Sequence, residues 1–186
     1  MAHLIRSTAN ALMIGIVAAA GTMSTQALAA SQGTPGATST GSVNINASVP
    51  NRVRISGLTD ISLLNQDPTV EAQSAQDVCV WSNTATRGYS ITATGSGSGN
   101  AFTLAGGGGT VPYSVEWSGS IGQTSGTALT SSSPETGLTS TATQQLCNAG
   151  PSASASLIIK ISSTDLSTMQ AATTYTGTLT LLVTPE

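Results

Sequence analysis

Apolar and polar residues alternate strictly over residues 41–50, GSVNINASVP, where Val43, Ile45, Ala47 and Val49 fall on one face and Asn44, Asn46 and Ser48 on the other. A period of two predicts a half-buried strand, ended or bent by Pro50. Such a strand needs a partner, in its own domain or in another copy of the chain. Shorter patterns of the same kind follow, beginning with VRI at 53–55, VCVW at 78–81 and YSITATG at 89–95, where Tyr89, Ile91 and Ala93 share a face. AFTLA at 101–105 comes next, and then VPYSVEW at 111–117, in which Val111, Tyr113, Val115 and Trp117 alternate. ASLIIKI at 155–161 and TYTGTLTLLV at 174–183 complete the strong signals.

The stretches between them carry turn chemistry. GSGSGN at 95–100 and AGGGGT at 105–110 predict turns, while SQGTPGATST at 31–40 has no period and reads as a flexible leader. Residues 56–63 offer Leu58, Ile61 and Leu63 as core candidates, and 65–77 read as a polar connector. The Ser/Thr/Gly-rich run 118–149, anchored by Leu129, Leu138 and Leu146, has room for one or two short edge strands. One helical turn is expected within 163–171, capped by Ser163 or Thr164, with Leu166 and Met169 three apart. About eight strands at this spacing, with turns between and almost no helix, predict an all-β, immunoglobulin-like antiparallel β-sandwich. No strong strand follows Val183, so an immunoglobulin-like fold here would be incomplete, missing its last strand, with an edge that something must cover.

The start of the chain changes the setting. His3 and Arg6 precede the apolar run ALMIGIVAAAG at 11–21, too short to span a bilayer, and Ala27 and Ala29 bracket Leu28 in an A-x-A pattern. Residues 1–29 therefore read as a signal peptide, 30–50 as leader and strand, and 51–186 as one domain. No later stretch has the length and apolarity of a membrane segment, so no membrane insertion is expected. Only 7% of the residues are charged. Loss of Arg6 with the signal brings the net charge to about −4, with no basic patch for nucleic acid or anionic lipid. Export also favours pairing of Cys79 with Cys147, and no C-x-x-C redox spacing is present.

Candidate chemistry is sparse. His3 is the one histidine and departs with the signal, which removes His-based nucleophilic arrangements and metal centres. Acids remain at Asp60, Asp67, Glu71, Asp77, Glu116, Glu135 and Asp165, most of them in expected loops. Glu116 sits in a strand, opposite in face to Tyr113 and Val115, and reads as outward and polar. Gly106, Gly107, Gly108 and Gly109 are followed by neither a lysine nor a helix pattern, so a hairpin loop is expected rather than a phosphate cradle. The spacing of a calcium loop is missing. Trp81, Trp117, Tyr89, Tyr113, Tyr175 and Phe102 suit a core better than a sugar platform. No enzyme activity, cofactor or metal is expected.

The leader, GSVNINASVP, the central VPYSVEW and the terminal YTGTLTLLVTPE together resemble pilin subunits of the chaperone-usher pathway, in its archaic and alternate branches, including spore coat protein U-like domains. The resemblance covers nearly all of residues 30–186 and rests on patterns rather than catalytic signatures. It implies an incomplete immunoglobulin-like domain with an N-terminal donor strand, in which Val43, Ile45, Ala47 and Val49 fill the groove of a neighbouring subunit by strand addition. Tyr175, Gly177, Leu179 and Leu181 would form the C-terminal strand beside that groove. The implied partners are other pilin subunits, a periplasmic chaperone and an outer-membrane usher, with export through the periplasm to the cell surface and a role in adhesion or biofilm. Cys79 and Cys147 and the long Gly/Ser loops depart from either branch. A second reading is a secreted, self-complemented module that binds carbohydrate or protein on its 118–149 loop. A third is a hydrolase using Glu116 or Asp165.

Overall fold

The computed structural model describes residues 29–148 and 152–186. The expected signal peptide lies outside the described residues except for Ala29. The chain divides into a unit that ends at Ser48 and a unit spanning Val49–Glu186.

In the first unit the leader is closed rather than open. Ser31 and Ser42 form an antiparallel bridge, with N–H to carbonyl distances of 2.9 and 3.0 Å and their hydroxyls 2.7 Å apart. The expected strand over 42–49 has no ladder within the single chain. Beyond the Ser42 bridge these residues join no ladder, and Val43 and Ile45 are 71% and 88% exposed. Alternation creates an apolar face, but a strand exists only where another strand accepts its hydrogen bonds.

The second unit is nearly all-β, and every ladder in it is antiparallel. Its strands are β1 (Val53–Ser56), β2 (Ala72–Ser82), β3 (Gly88–Gly95), β4 (Thr103–Gly106), β5 (Gly109–Pro112), β6 (Ser114–Ser118), β7 (Thr127–Ala128), β8 (Pro134–Thr139), β9 (Ala155–Ile161) and β10 (Leu179–Pro185). One sheet runs β1-β2-β9-β6-β7, a second β10-β3-β8, and β4 pairs with β5 alone. Val78, Val80, Val115, Trp117, Leu157 and Ile159 from the first sheet share one buried core with Tyr89, Ile91 and Ala93 from the second. This arrangement is compatible with a β-sandwich. At its centre the Trp117 indole N–H donates to the Tyr89 hydroxyl at 3.2 Å, linking the sheets where no water reaches. Burial pushes the Tyr89 phenol above its ordinary pKa, although that hydrogen bond opposes the shift.

Local chemistry explains the departures from the sequence pattern. β2 begins at Ala72, inside the expected polar connector, because pairing from Ala72↔Ile161 to Val78↔Ala155 along β9 imposes a strand on small polar residues. The expected strand 111–117 splits into β5 and β6. Val111, Tyr113, Val115 and Trp117 all stay buried, but the chain leaves β4 and joins β9 across Pro112 and Tyr113. Gly107 and Gly108, at φ 58° and 80°, form the two-residue turn between β4 and β5. A tight hairpin turn of this kind needs positive φ at both central residues, which glycine supplies at little cost. The helical turn α1 (Ser163–Leu166) is capped by Ser162, one residue earlier than expected; the Ser162 hydroxyl accepts from the Asp165 N–H at 3.1 Å. Ile61 and Leu63 pack on the core, whereas Leu58 and Leu146 are 46% and 51% exposed.

Cys79 and Cys147 are joined, with Cα atoms 6.1 Å apart and a sequence separation of 68. With Ala142 they form a small buried cluster on which Trp81 packs. Replacing both cysteines by serine should lower unfolding free energy by about 2–4 kcal/mol, since a loop of this length strongly restricts the unfolded chain. Urea denaturation followed by near-ultraviolet circular dichroism measures this, and an unchanged midpoint with an unchanged slope would contradict it.

Candidate functional site

The least finished part of the core lies at an edge. β10 pairs with β3 on one side, from Leu179↔Gly95 through Leu181↔Ala93 and Val183↔Ile91 to Pro185↔Tyr89. Its partners Ala93, Ile91 and Tyr89 are fully buried, yet Leu179, Leu181 and Val183 remain partly exposed on the same inward face. The cause is the free outer edge of β10: among the described residues no backbone hydrogen bond reaches Leu179–Pro185 from outside its ladder with β3.

Across the opening stands β1, the edge strand of the other sheet. Val53 and Ile55 face inward and are also partly exposed, as are Ile61, Leu63 and Leu104 where they pack on the same core. Together these side chains form a partly exposed apolar seam between the unpaired edges of β10 and β1, which becomes a cleft only where the two strands part. Each side chain of this size gains roughly 1.5–3 kcal/mol on full burial, so one left half-covered retains about 1 kcal/mol of unrealised stabilisation. Cα atoms of the two strands approach within 8 Å. A strand paired to one and lying against the other needs about 9.5 Å between them, twice the ordinary strand spacing. Seating one along the full cleft therefore requires β1 and β10 to part.

The C-terminal residues expected beside this cleft separate into two groups. Leu179 and Leu181 are on β10 and line it, and Val183, of the same parity, belongs with them. Tyr175 and Gly177 precede the strand, which starts at Leu179 rather than 174. There the chain crosses the β4–β5 hairpin, with Thr176 bridged to Ala105 by N–H to carbonyl bonds of 2.8 and 2.9 Å. A Cβ on Gly177 would stand 2.9 Å from the Thr103 carbonyl oxygen, so only glycine permits the crossing. The Tyr175 hydroxyl accepts from the Gln170 N–H at 3.0 Å. Val53 and Ile55 were legible as a short strand but not as the opposite wall, because that needs the pairing of sheets.

Val43, Ile45, Ala47 and Val49 are all exposed, with Val49 at 82%, and form an apolar row without a ladder. The two acids singled out for possible chemistry both have local partners. Glu116 Oε1 lies 2.7 Å from Lys160 Nζ, and its other carboxylate oxygen accepts from the Gly126 N–H at 2.9 Å. The hydrogen bond from Lys160 holds the Glu116 carboxyl below its ordinary range, against a smaller opposing effect of burial. The Asp165 carboxylate accepts from the Ser162 hydroxyl at 2.6 Å, within the cap of α1. Among the described residues no group of three acids, histidines or cysteines is placed to hold a metal ion, and no helix is long and apolar enough to cross a membrane. No family model matches the chain, and no curated protein matches it in sequence.

The Glu116 pair has a pH signature. A carboxyl whose pKa is lower folded than unfolded adds stability above its unfolded value and loses it as pH falls through the folded one. Glu116→Gln should cost up to about 1 kcal/mol at neutral pH, and the difference from the parent should shrink as pH falls below the ordinary glutamate value and vanish below the lowered folded one. Urea midpoints of both proteins across this range test it, and a difference independent of pH would assign the cost to packing.

Proposed function

We propose that this chain is a structural subunit of a surface fibre, exported by a chaperone-usher route and polymerised by donor-strand exchange, as in the archaic and alternate pilins that its sequence resembles. The observation that carries the reading is the open edge of β10. With β1, β2, β3, β6, β9 and β10 lettered A to F, the first sheet follows the order A-B-E-D, the order of an immunoglobulin domain. The second sheet of such a domain runs C-F-G. On that pattern β3 and β10 would stand as C and F, and among the described residues no strand pairs with the outer edge of β10, where G would lie.

The row formed by Val43, Ile45, Ala47 and Val49 suits that position. Residues 43–49 match the seven residues of β10 in length, and their period of two would send four side chains inward against Leu179, Leu181 and Val183. Main-chain bonds to the β10 edge would add to roughly 1.5–3 kcal/mol from each larger side chain fully buried, and less from Ala47. In this reading a periplasmic chaperone lends a strand first and keeps β1 and β10 apart. At the outer-membrane usher the leader of the next subunit then replaces it. Each subunit gives a strand at one end and receives one at the other, so the contact is head-to-tail and generates an open fibre at the cell surface.

The substitution Ile45→Asp separates assembly from folding. Ile45 is exposed in the single chain, so the variant should fold and unfold with the parent's midpoint, while a charge placed in an apolar cleft should block fibre growth. Deletion of residues 42–49 should give the same phenotype. Electron microscopy of producing cells and size-exclusion chromatography of the secreted material are the measurements; fibres in parental amounts from either variant would refute the proposal. A stable monomer obtained without any chaperone would favour the self-complemented binding module instead.

A further inference from the structure

A second feature lies on the outer face of β1 and β2. Val49, Pro50 and the loop after β8 enclose an open groove of about 620 Å³, lined also by Arg52, Trp81, Asn83, Gln144 and Gln145. Trp81 is half-buried, its inner side resting on the Cys79–Cys147 cluster. Its cross-strand partner is Arg54, which shares its face of the sheet. The Asn83 side chain accepts from the Arg52 N–H at 2.6 Å and donates to the Pro50 carbonyl at 3.0 Å, which fixes the backbone that carries Arg52. The opposite wall is equally held: the Ala142 N–H bonds the Ser140 hydroxyl at 2.9 Å, the Cys147 N–H closes on the Gln144 carbonyl at 3.0 Å, and the disulfide pins the loop to β2.

The charge distribution is uneven. Among the described residues the basic side chains are Arg52, Arg54, Arg87 and Lys160, and Lys160 is taken by Glu116. Arg52 and Arg54 have no carboxylate partner among those residues, and no carboxylate lines the groove. An acidic protein thus carries two arginines without a carboxylate partner near a partly exposed indole: Arg52 lines the groove together with Gln144 and Gln145, and Arg54, outside that lining, stands across from Trp81 on the same sheet face. An indole face accepts the apolar face of a sugar ring, carboxamides read hydroxyl groups, and arginine takes a carboxylate in bidentate fashion. Two arginines on a chain of net negative charge are too few to hold a nucleic-acid backbone.

We propose that this groove binds an acidic saccharide, with a pyranose ring stacked on Trp81 and its carboxylate held by Arg52 and Arg54. The site is on the outer sheet face and does not use the β10 edge; Val49 alone of its lining belongs also to the row assigned to fibre assembly, and the sugar-contacting side chains lie outside that row. Isothermal titration calorimetry of the purified, disulfide-bonded full chain with a glucuronic-acid-containing hexasaccharide should give saturable binding. A neutral glucose hexasaccharide of equal length should bind about tenfold more weakly or worse, as should the acidic one to a variant carrying Arg52→Gln and Arg54→Gln, through loss of charge-assisted hydrogen bonds. Trp81→Ala should abolish binding, and the paired Gln144→Ala and Gln145→Ala changes, at exposed positions that do not bear on folding, should weaken it. No saturable heat with the acidic sugar, equal affinity for the neutral one, or parental affinity in the arginine variant would each overturn the proposal.

Discussion

The structure is shaped by one open sheet edge, the outer side of β10. In most of the second unit an inward residue is covered twice, by its neighbours in the sheet and by the facing layer, and Tyr89, Ile91, Ala93, Val115 and Trp117 are accordingly closed to water. On β10 the first kind of cover is present on one side alone. Leu179, Leu181 and Val183 thus belong to the core by direction and to the surface by exposure. No rearrangement of these side chains alone covers them, because the outer edge of their strand is unpaired.

The remainder of the domain is built to tolerate that deficit. The Trp117 to Tyr89 hydrogen bond ties the two sheets at their centre, away from the open edge. The disulfide fastens the loop after β8 to the face of β2 that points away from the core, and there it supports Trp81 as well. Glu116 and Lys160 join β6 to β9 on the outside of the same sheet. The strong links thus gather in the five-stranded sheet. β10 depends on its ladder with β3 and on the crossing at Gly177, which leaves the cleft as the place where the structure can open at least expense.

Much of this was legible in the chain. β3 and β9 follow their alternation almost to the residue, because Tyr89, Ile91 and Ala93, and Leu157, Ile159 and Ile161, are core residues with β-branched or aromatic weight. The Gly107–Gly108 turn and the two short strands between 118 and 149 were equally readable from turn chemistry. Three things were not. β2 starts among Ala, Gln and Ser, residues that take strand form only because β9 is beside them. VPYSVEW changes sheets at Pro112 while keeping its alternation, and a period of two says which face is buried but not which strand is next. Residues 42–49 carry a flawless period and no ladder, since pattern reports the face a segment could bury and pairing decides whether it does. The seam was half visible for the same reason: Leu179 and Leu181 followed from the resemblance of the C-terminal strand, while the wall formed by Val53 and Ile55 depends on how the sheets meet.

The four edges of the two larger sheets differ in a way that bears on use. Proteins protect an exposed edge with charge, proline, bulges or brevity. β7 has two residues and β1 has four, the latter with Arg54 on its outward face. β8 carries Pro134, Glu135 and Gly137, and its register with β3 slips between Tyr89 and Ile91. β10 is seven residues long, in register with β3 throughout, and has the sequence LTLLVTP with no charge, its one proline falling at the far end. Three edges are thus blunted by familiar devices and the fourth is left long, regular and apolar. An edge of that kind invites any strand that approaches it, and unoccupied it is an aggregation hazard. A chain keeps such an edge at lower risk if a partner covers it from the moment of folding, and the uncharged row of Val43, Ile45, Ala47 and Val49 has the complementary feature: an apolar row with no sheet to join.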